Sequence, residues 1–181
     1  MKIELRIVDN SDIEKIRIWR NSDLIRNVSY DRTFINYEKQ IQWYEEIKDN
    51  FFQLHWIINI DGNDAGYAAI KNIDLNNKRC EFSSLYIGEE KFLLNGAGAL
   101  IEYKIIDYIF TNYPTIIKIY CEVLGLNKKV IQLHKRFGFV IEGELNQHYM
   151  FNNNFESVVL LALFRENWNK IQPYLKKILI R

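Results

Sequence analysis

The chain has 181 residues, of which 48% are hydrophobic, and its 24 basic and 23 acidic residues give a net charge of +1. A chain of this size can bury one full core but is short for two, so we expect a single domain over residues 1–181. The balanced charge, without a sustained run of either sign, predicts neither a nucleic-acid partner nor binding to an anionic membrane. Because the chain has no signal-peptide pattern and no stretch of about 18 apolar residues, we expect a soluble, cytoplasmic protein. The sequence leaves open whether it is a monomer or a homodimer.

The cysteines and histidines give no sign of a disulfide scaffold or a metal site. Cys80 and Cys121 both lie in strand-like stretches and are too few and too far apart for either, so we expect reduced, buried thiols. His55 and His148 do not have metal-ligand spacing. We therefore expect no bound metal.

The first half of the chain reads as one strand, two helices and a three-stranded meander. Alternating polar and apolar residues over Lys2–Val8 predict a half-buried strand. Ser11-Asp12-Ile13-Glu14 has the spacing of a capping box and begins a helix that runs to about Arg20, and a second helix is predicted over 36–48. Strand-like stretches separated by turn residues then follow at 54–60, 65–73 and 80–87.

The second half alternates helices and strands. A strongly apolar helix pattern runs to Thr111, Pro114 breaks it, and a strand is predicted over 116–123. After Asn127 a short helix ends at Gly138, which is well placed to cap it. Two last strands over 139–144 and 157–164 and a closing amphipathic helix complete the order βααβββαβαββα. This order predicts one α/β domain with a mixed central sheet of about seven strands and flanking helices.

The joint between the fourth strand and the apolar helix is the turn Leu93-Leu94-Asn95-Gly96-Ala97-Gly98-Ala99. The first N–H groups of such a helix have no partner within the helix, and the helix dipole adds partial positive charge there. Gly96 and Gly98 lack a Cβ, so a pyrophosphate can approach the backbone closely. A Gly-x-Gly alone also occurs in ordinary tight connections, so the phosphate interpretation depends on the rest of the chain.

Three motifs together carry a resemblance to a known family. The first is the turn Leu93–Ala99, and the second is the segment Asn127–Phe139, with Glu142-Gly143 just after it. The third is Trp19-Arg20-Asn21 with the later Trp43-Tyr44. With the element order, they resemble the GNAT family of N-acetyltransferases over nearly the whole chain. Two positions depart from the family pattern: Leu93 replaces a polar residue, and His134 replaces the usual tyrosine.

The resemblance implies an acetyl-CoA-dependent N-acetyltransferase that acts by direct transfer in a ternary complex. The finer pattern, including Tyr30 and the run Phe92–Gly96, is most similar to the pseudaminic acid branch, which implies the 4-amino group of a UDP-linked 4-amino-4,6-dideoxy sugar as acceptor. A protein N-terminal or antibiotic amine acceptor is the alternative. A catalytically silent CoA-binding module is a second alternative, which the departures at Leu93 and His134 favour.

The resemblance also implies which residues contact CoA. The family binds pantetheine on the backbone of the fourth strand, where that strand parts from the fifth, and binds pyrophosphate on the glycine turn. In this chain the implied contacts are Leu85, Tyr86, Ile87, Leu93, Leu94, Asn95, Gly96, Ala97, Gly98, Ala99 and Asn127. Asn127 is also a good helix N-cap, and that role alone is enough to explain it.

Acetyl transfer needs a base for the amine and a proton for the departing thiolate. Glu122, expected on the fifth strand, is the candidate base; it is otherwise an ordinary solvated carboxylate, and Glu81 is a weaker substitute. His134 is the candidate acid at the family's tyrosine position, or else a helix-surface histidine.

Three aromatic residues are candidates for contact with the acceptor. Tyr30, Trp43 and Phe82 are matched loosely to the amino-sugar enzymes of the family. Aromatic residues make up 14% of the chain, so each of the three is also a candidate core residue.

Overall fold

The computed structural model describes residues 1–93 and 96–180. Leu94 and Asn95, both in the predicted CoA turn, lie outside the described residues. The predicted order of strands and long helices is confirmed, and a four-residue helix is added after the first long helix.

The bounds of the elements follow. The strands are β1 Ile3–Ile7, β2 Leu54–Ile60, β3 Asn63–Asp74, β4 Arg79–Ile87, β5 Lys118–Leu124, β6 Val140–Phe151 and β7 Asn154–Phe164. The helices are α1 Ile13–Asn21, α2 Asp23–Arg26, α3 Tyr37–Ile47, α4 Ala97–Asn112, α5 Lys128–Arg136 and α6 Arg165–Leu179. Short 3-10 turns precede α1 and α4, at Asn10–Asp12 and Glu90–Phe92.

The seven strands form one mixed sheet in the order β1-β2-β3-β4-β5-β7-β6. The pairs β1–β2, β2–β3, β5–β7 and β6–β7 are antiparallel, whereas β4 and β5 are parallel. The register between β4 and β5 covers Arg79–Glu81 against Lys118–Tyr120, and both strands continue beyond it. The expected mixed α/β sheet is thereby confirmed.

The chain divides into two compact units, so the single domain over 1–181 stays a prediction. The first unit comprises Met1–Asn72 and Ser83–Glu102. Its core includes Val8, Ile16, Trp19, Ile57, Tyr67 and Ala69, against which Trp43, Tyr44 and Tyr86 pack. In this unit α1 presents Ile13, Ile16 and Trp19 to the core, as the apolar spacing predicts.

The second unit comprises Ile73–Phe82 and the chain from Tyr103 onward. Its core is rich in isoleucine, and the Trp168 ring of α6 packs on Tyr103 and Phe110 at centroid distances of 5.4 and 6.3 Å. Cys80 and Cys121 are buried free thiols in this unit, and burial, with Glu81 nearby, raises the pKa of Cys80 to about 12.

The start of α1 differs from the predicted capping box. The capping box belongs to the 3-10 turn that leads into α1, and its cap is Asp9 rather than Ser11: the Asp9 carboxylate accepts from the Ser11 N–H at 2.8 Å, while Asp12 Oδ2 accepts from the Asp9 N–H at 3.0 Å. Arg6 holds the buried Asp12 carboxylate through two bonds of 2.8 Å. Glu14 instead pairs with Arg17. A carboxylate fixed by a guanidinium is a stronger acceptor than a serine hydroxyl, so the box forms two residues earlier.

The β6–β7 hairpin is longer than predicted. β6 runs to Phe151 instead of residue 144, with register shifts at Ile141/Gly143 and Leu145/Tyr149 that absorb extra residues. Asn152 and Asn153 form the turn with positive φ angles of 49° and 61°, which asparagine tolerates well.

No helix within residues 1–93 and 96–180 is long and apolar enough to cross a membrane.

Candidate functional site

The glycine turn leads into the first turn of α4. Gly96 has a φ of +76°, a left-handed value that favours glycine, and its carbonyl accepts from the Leu100 N–H at 3.2 Å. Gly98 has no such backbone requirement, and a Cβ built on it meets no described heavy atom within 4 Å. Internal packing therefore does not explain glycine at position 98.

This geometry fits an anionic ligand. Two residues without side chains lie at the start of this 16-residue helix, and the positive end of a helix dipole favours a phosphate. Ala97 is buried, whereas Gly98 and Ala99 are half-buried and Leu93 is exposed. The described residues of the turn thus leave open space at Gly96 and Gly98.

The end of β4 carries the residues expected to pair with pantetheine. Leu85 and Tyr86 are half-buried and Ile87 is buried, and all three lie beyond the part of β4 that pairs with β5. A Cβ on Gly66 of β3 would come within 2.2 Å of the Tyr86 carbonyl oxygen, so β3 approaches the β4 backbone very closely. This contact fixes the position of the β4 backbone.

A contact that the sequence did not predict lies directly after β4. The Trp19 indole Nε1–H donates to Glu89 Oε1 at 2.9 Å, and a Cβ on Gly88 would come within 2.3 Å of the Trp19 ring. The N–H groups of Gly88 and Glu89 both donate to the Ala65 carbonyl, at 2.8 and 3.1 Å. The end of β4 is therefore fixed by β3 and by α1. The signal in the sequence was Trp19 in the Trp-Arg-Asn motif, but its partner lies 70 residues away.

The other two residues of the motif hold the segment between α2 and α3. Arg20 donates to Ser29 Oγ at 2.7 Å and to the Asp31 carbonyl at 2.9 Å. Asn21 pairs through its side-chain amide with the backbone of Ile35. Tyr30, a predicted acceptor residue, lies half-buried within this fixed segment.

Trp43 is part of a buried aromatic cluster in the first unit. Its ring packs edge-on against His55 and Tyr67, at centroid distances of 5.7 and 6.1 Å, and Tyr67 lies 5.3 Å from Tyr86. His55 Nδ1 and the Tyr67 hydroxyl are 2.5 Å apart. Burial, helped by Lys71, lowers the pKa of His55 to about 4, so the imidazole is neutral near pH 7. The contacts of Trp43 are those of a packed residue.

His134 and Phe82 come together in the second unit. Their ring centroids are 5.8 Å apart, and Phe139 lies 4.8 Å from His134 on another side. His134 is only 6% exposed and Phe82 only 5%. His134 is therefore a buried imidazole between two phenyl rings, which excludes the surface-histidine alternative.

The remaining predicted residues of the second unit occupy β5 and its surroundings. Glu122 is exposed on β5, opposite Leu160 of β7, and Glu81 is half-buried on β4. Asn127 caps α5, its side-chain oxygen accepting from the Val130 N–H at 3.4 Å. The described part of the chain contains no group of three or more His, Cys, Asp or Glu residues placed to hold a metal ion.

Comparison with known proteins matches this chain to acetyltransferases. The family profile of the acetyltransferase (GNAT) domain matches residues 5–159. Spermidine N(1)-acetyltransferase of Escherichia coli (strain K12) is 21% identical over 168 residues, covering 92% of this chain and 88% of that protein. The enzyme of that name from Vibrio cholerae serotype O1 is also 21% identical over 168 residues, with coverages of 92% and 95%.

A solved structure has the same fold. The crystal structure of spermidine N-acetyltransferase from Vibrio cholerae in complex with CoA and spermine matches with a TM-score of 0.84 at 20% identity, covering 92% of this chain and 98% of that one. The family resemblance, the fold class and the use of acetyl-CoA inferred from the sequence are confirmed.

The acceptor inferred from the sequence is wrong. A nucleotide-linked amino sugar of the pseudaminic acid pathway is not what the similar proteins act on, since they are named for spermidine and crystallised with spermine. The match of Trp19, Arg20 and Asn21 did not identify the acceptor, because the contacts that these residues make lie within the first unit and hold its backbone.

Proposed function

The chain belongs to the GNAT acetyltransferase family and is an acetyl-CoA-dependent N-acetyltransferase, and on this premise we propose that its acceptor is a polyamine such as spermidine. The observation that carries the proposal is the similarity to spermidine acetyltransferases over 92% of the chain. A polyamine offers a primary amine to acetylate and further ammonium groups to bind. The net charge of only +1 gives no long-range attraction for a polycation, so the proposal requires local carboxylates.

We propose that acetyl-CoA binds along the end of β4 and at the start of α4. Bound there, it supplies the thioester whose acetyl group passes to the amine. The backbone of Leu85, Tyr86 and Ile87 would hold the pantetheine, and the N–H groups around Gly96–Ala99 would hold the pyrophosphate. The open space at Gly98 and the extension of β4 beyond its pairing with β5 support this assignment. Asn127 is proposed as a further contact beside its capping role.

Two proton transfers accompany the reaction. As the C–N bond forms, the amine gives up a proton, for which Glu122 is the proposed base, directly or through water. As the C–S bond breaks, the thiolate takes up a proton, for which His134 is the proposed donor. The exposure of Glu122 on β5 supports its role. The proposal for His134 rests on its position in the Asn127–Phe139 segment that resembles the family motif.

We also propose that the reaction takes place in the cytoplasm. Two free, buried cysteines and no disulfide among the described residues support a reducing compartment.

The test of the acceptor is thiol release from acetyl-CoA with spermidine, spermine and a short N-terminal peptide, with the product identified by mass spectrometry. We expect acetylated polyamine and no acetylated peptide. Absence of turnover with every polyamine would overturn the proposal.

The test of the proton transfers uses Glu122→Gln and His134→Phe, with Glu166→Gln and His148→Phe as controls on exposed residues. We expect each test variant to lower kcat with spermidine by about 100-fold or more, and His134→Phe to change the pH profile of kcat, while the controls stay near wild type. A pH profile that His134→Phe leaves unchanged would remove the proposed role of His134.

A further inference from the structure

A short segment joins the two parts of the proposed CoA site. The proposed pantetheine site ends at Ile87, the last residue of β4, and the proposed pyrophosphate site begins at Gly96, so only residues 88–95 separate them. The 3-10 turn Glu90–Phe92 lies within this segment. The conformation of the segment therefore contributes to the spacing between the two parts of the site.

Glu89 is the residue at which this segment leaves the sheet, and its backbone and its side chain are both held. Its N–H donates to the Ala65 carbonyl of β3 at 3.1 Å, and its carbonyl accepts from the Phe92 N–H at 3.0 Å, which begins the 3-10 turn. Its Oε1 accepts from the Trp19 indole N–H at 2.9 Å. The first two bonds are local to the sheet and the turn, whereas the third comes from α1.

Trp19 holds Gly88 as well as Glu89. A Cβ built on Gly88 would lie 2.3–2.5 Å from three atoms of the Trp19 ring, so the ring packs directly on the backbone of the residue before Glu89. Trp19 is only 4% exposed and belongs to the core of the first unit, together with Val8 and Ile16. Because side chains in a packed core have little freedom to move, the ring is a rigid support for the start of the segment.

A segment that is fixed before the ligand arrives favours a ligand that has two parts. CoA joins a pantetheine arm to a nucleotide through its pyrophosphate, so it gains from both parts of the site only where their spacing matches its own. A loose segment would have to be ordered on binding, and this loss of conformational freedom would weaken the affinity. A ligand that occupies one part of the site alone does not depend on the spacing.

We propose that Trp19, through its hydrogen bond to Glu89 and its packing on Gly88, holds the two parts of the CoA site at the spacing that CoA requires. This inference rests on the proposed CoA site. It makes Trp19 and Glu89 positioning residues, which act through the backbone of the segment rather than by touching CoA.

The test is the Kd of CoA, of pantetheine and of ADP, measured by calorimetric or NMR titration for Trp19→Phe, Glu89→Ala and the double variant. Phenylalanine keeps a ring against Gly88 but has no N–H, and alanine has no acceptor, so all three variants lose the same hydrogen bond. We expect the Kd for CoA to rise about tenfold in each, with no further rise in the double variant. The Kd for pantetheine and for ADP should stay within about twofold of wild type.

Two further variants separate positioning from loss of charge. Glu89→Gln keeps a carbonyl oxygen that accepts from the Trp19 indole and loses only the charge, so it should bind CoA within about twofold of wild type. Glu90→Ala truncates the neighbouring, exposed side chain and should do the same. The inference is overturned if Glu89→Ala binds CoA as Glu90→Ala does, or if it weakens pantetheine and ADP as much as CoA.

Failure of the proposed function would be seen in other measurements. Absence of acetylated polyamine would overturn the proposed acceptor and not this inference, because the quantity measured here is the binding of CoA. Unchanged CoA binding in Gly98→Ala would overturn the proposed pyrophosphate site, and this inference with it.

Discussion

The side-chain amide of Asn21 pairs with both polar backbone groups of Ile35: Nδ2 donates to the carbonyl at 2.7 Å, and Oδ1 accepts from the N–H at 2.9 Å. The end of α1 is thereby joined to the residue just before the N-cap of α3. These two hydrogen bonds hold both ends of the intervening segment, which includes Tyr30, in fixed positions.

Loss of this pair should destabilise the first unit. In Asn21→Ala the partly buried N–H of Ile35 loses its partner, and its carbonyl keeps only the 3.4 Å bond from the Arg17 guanidinium, so we expect the free energy of unfolding to fall by about 1–3 kcal/mol. Urea denaturation at 25 °C measures the change. Asn27→Ala, at an exposed position after α2, is the control and should stay within about 0.5 kcal/mol of wild type. Equal losses for the two variants would show that the Asn21 pair contributes no stability of its own.

Gly98→Ala should separate stability from CoA binding. Alanine at position 98 meets open space and favours the helix, so we expect the protein to become more stable by up to about 1 kcal/mol. The added methyl group occupies the space proposed for the pyrophosphate, so we expect the Kd for CoA to rise about tenfold. Thermal unfolding and calorimetric titration with CoA measure the two effects.

Gly143→Ala serves as the control, since its Cβ makes only an ordinary contact with Leu160 at 3.9 Å. It should leave CoA binding unchanged. If Gly98→Ala also binds CoA as wild type does, the pyrophosphate does not lie at position 98.

His55 should make the protein less stable in acid. Its pKa is about 4 in the folded state and about 6.5 when unfolded, so between these values the unfolded state binds more protons and stability falls as pH falls. The contribution of His55 is fully present above pH 6.5 and decreases to its lower limit near pH 4, a loss of about 3 kcal/mol.

Carboxylates titrate in the same range, so the measurement compares variants. The free energy of unfolding of His55→Gln, in which the amide can still bond the Tyr67 hydroxyl, should change less between pH 7 and 4 than that of wild type, by about 3 kcal/mol. His148→Gln, at an exposed histidine, should follow wild type. Parallel curves for wild type and His55→Gln would contradict the assignment.

Arg165 closes the C-terminal end of α4 in the second unit. Its guanidinium donates to the carbonyls of Phe110, Tyr113 and Ile116 at 2.7–2.8 Å and lies 4.6 Å from the Phe110 ring centroid. Arg165→Lys keeps the charge but loses the planar fork, so we expect the free energy of unfolding to fall by about 2–3 kcal/mol. Arg136→Lys, at an exposed position, is the matched control and should have little effect on urea denaturation.

The sequence predicted the fold well because strand alternation, helix spacing and turn residues are local signals. It placed α5 from Asn127 to Gly138, and Asn127 indeed caps that helix. It could not give the partner of Trp19, because a contact between residues 19 and 89 depends on how β4 and α1 pack. For the same reason the sequence could not show that Trp43 packs, partly buried, against the core of the first unit.

The acceptor was harder to predict than the family. The CoA contacts proposed for this chain use backbone groups and glycines, which leave a pattern in the sequence at Gly96 and Gly98. Selection of an acceptor depends on a few side chains that folding brings together from distant parts of the chain. Their spacing along the chain carries no signal that could have excluded an amino sugar.

The burial of both cysteines has a practical consequence for an enzyme whose every turnover releases a thiol. Cys80 is fully enclosed with a pKa of about 12, and Cys121 is only 2% exposed. Exchange with a disulfide or thioester requires an accessible thiolate, which neither residue provides. Released CoA should therefore accumulate without forming mixed disulfides on the protein. A colorimetric disulfide reagent added to the folded enzyme should report product alone, with a negligible blank from the protein.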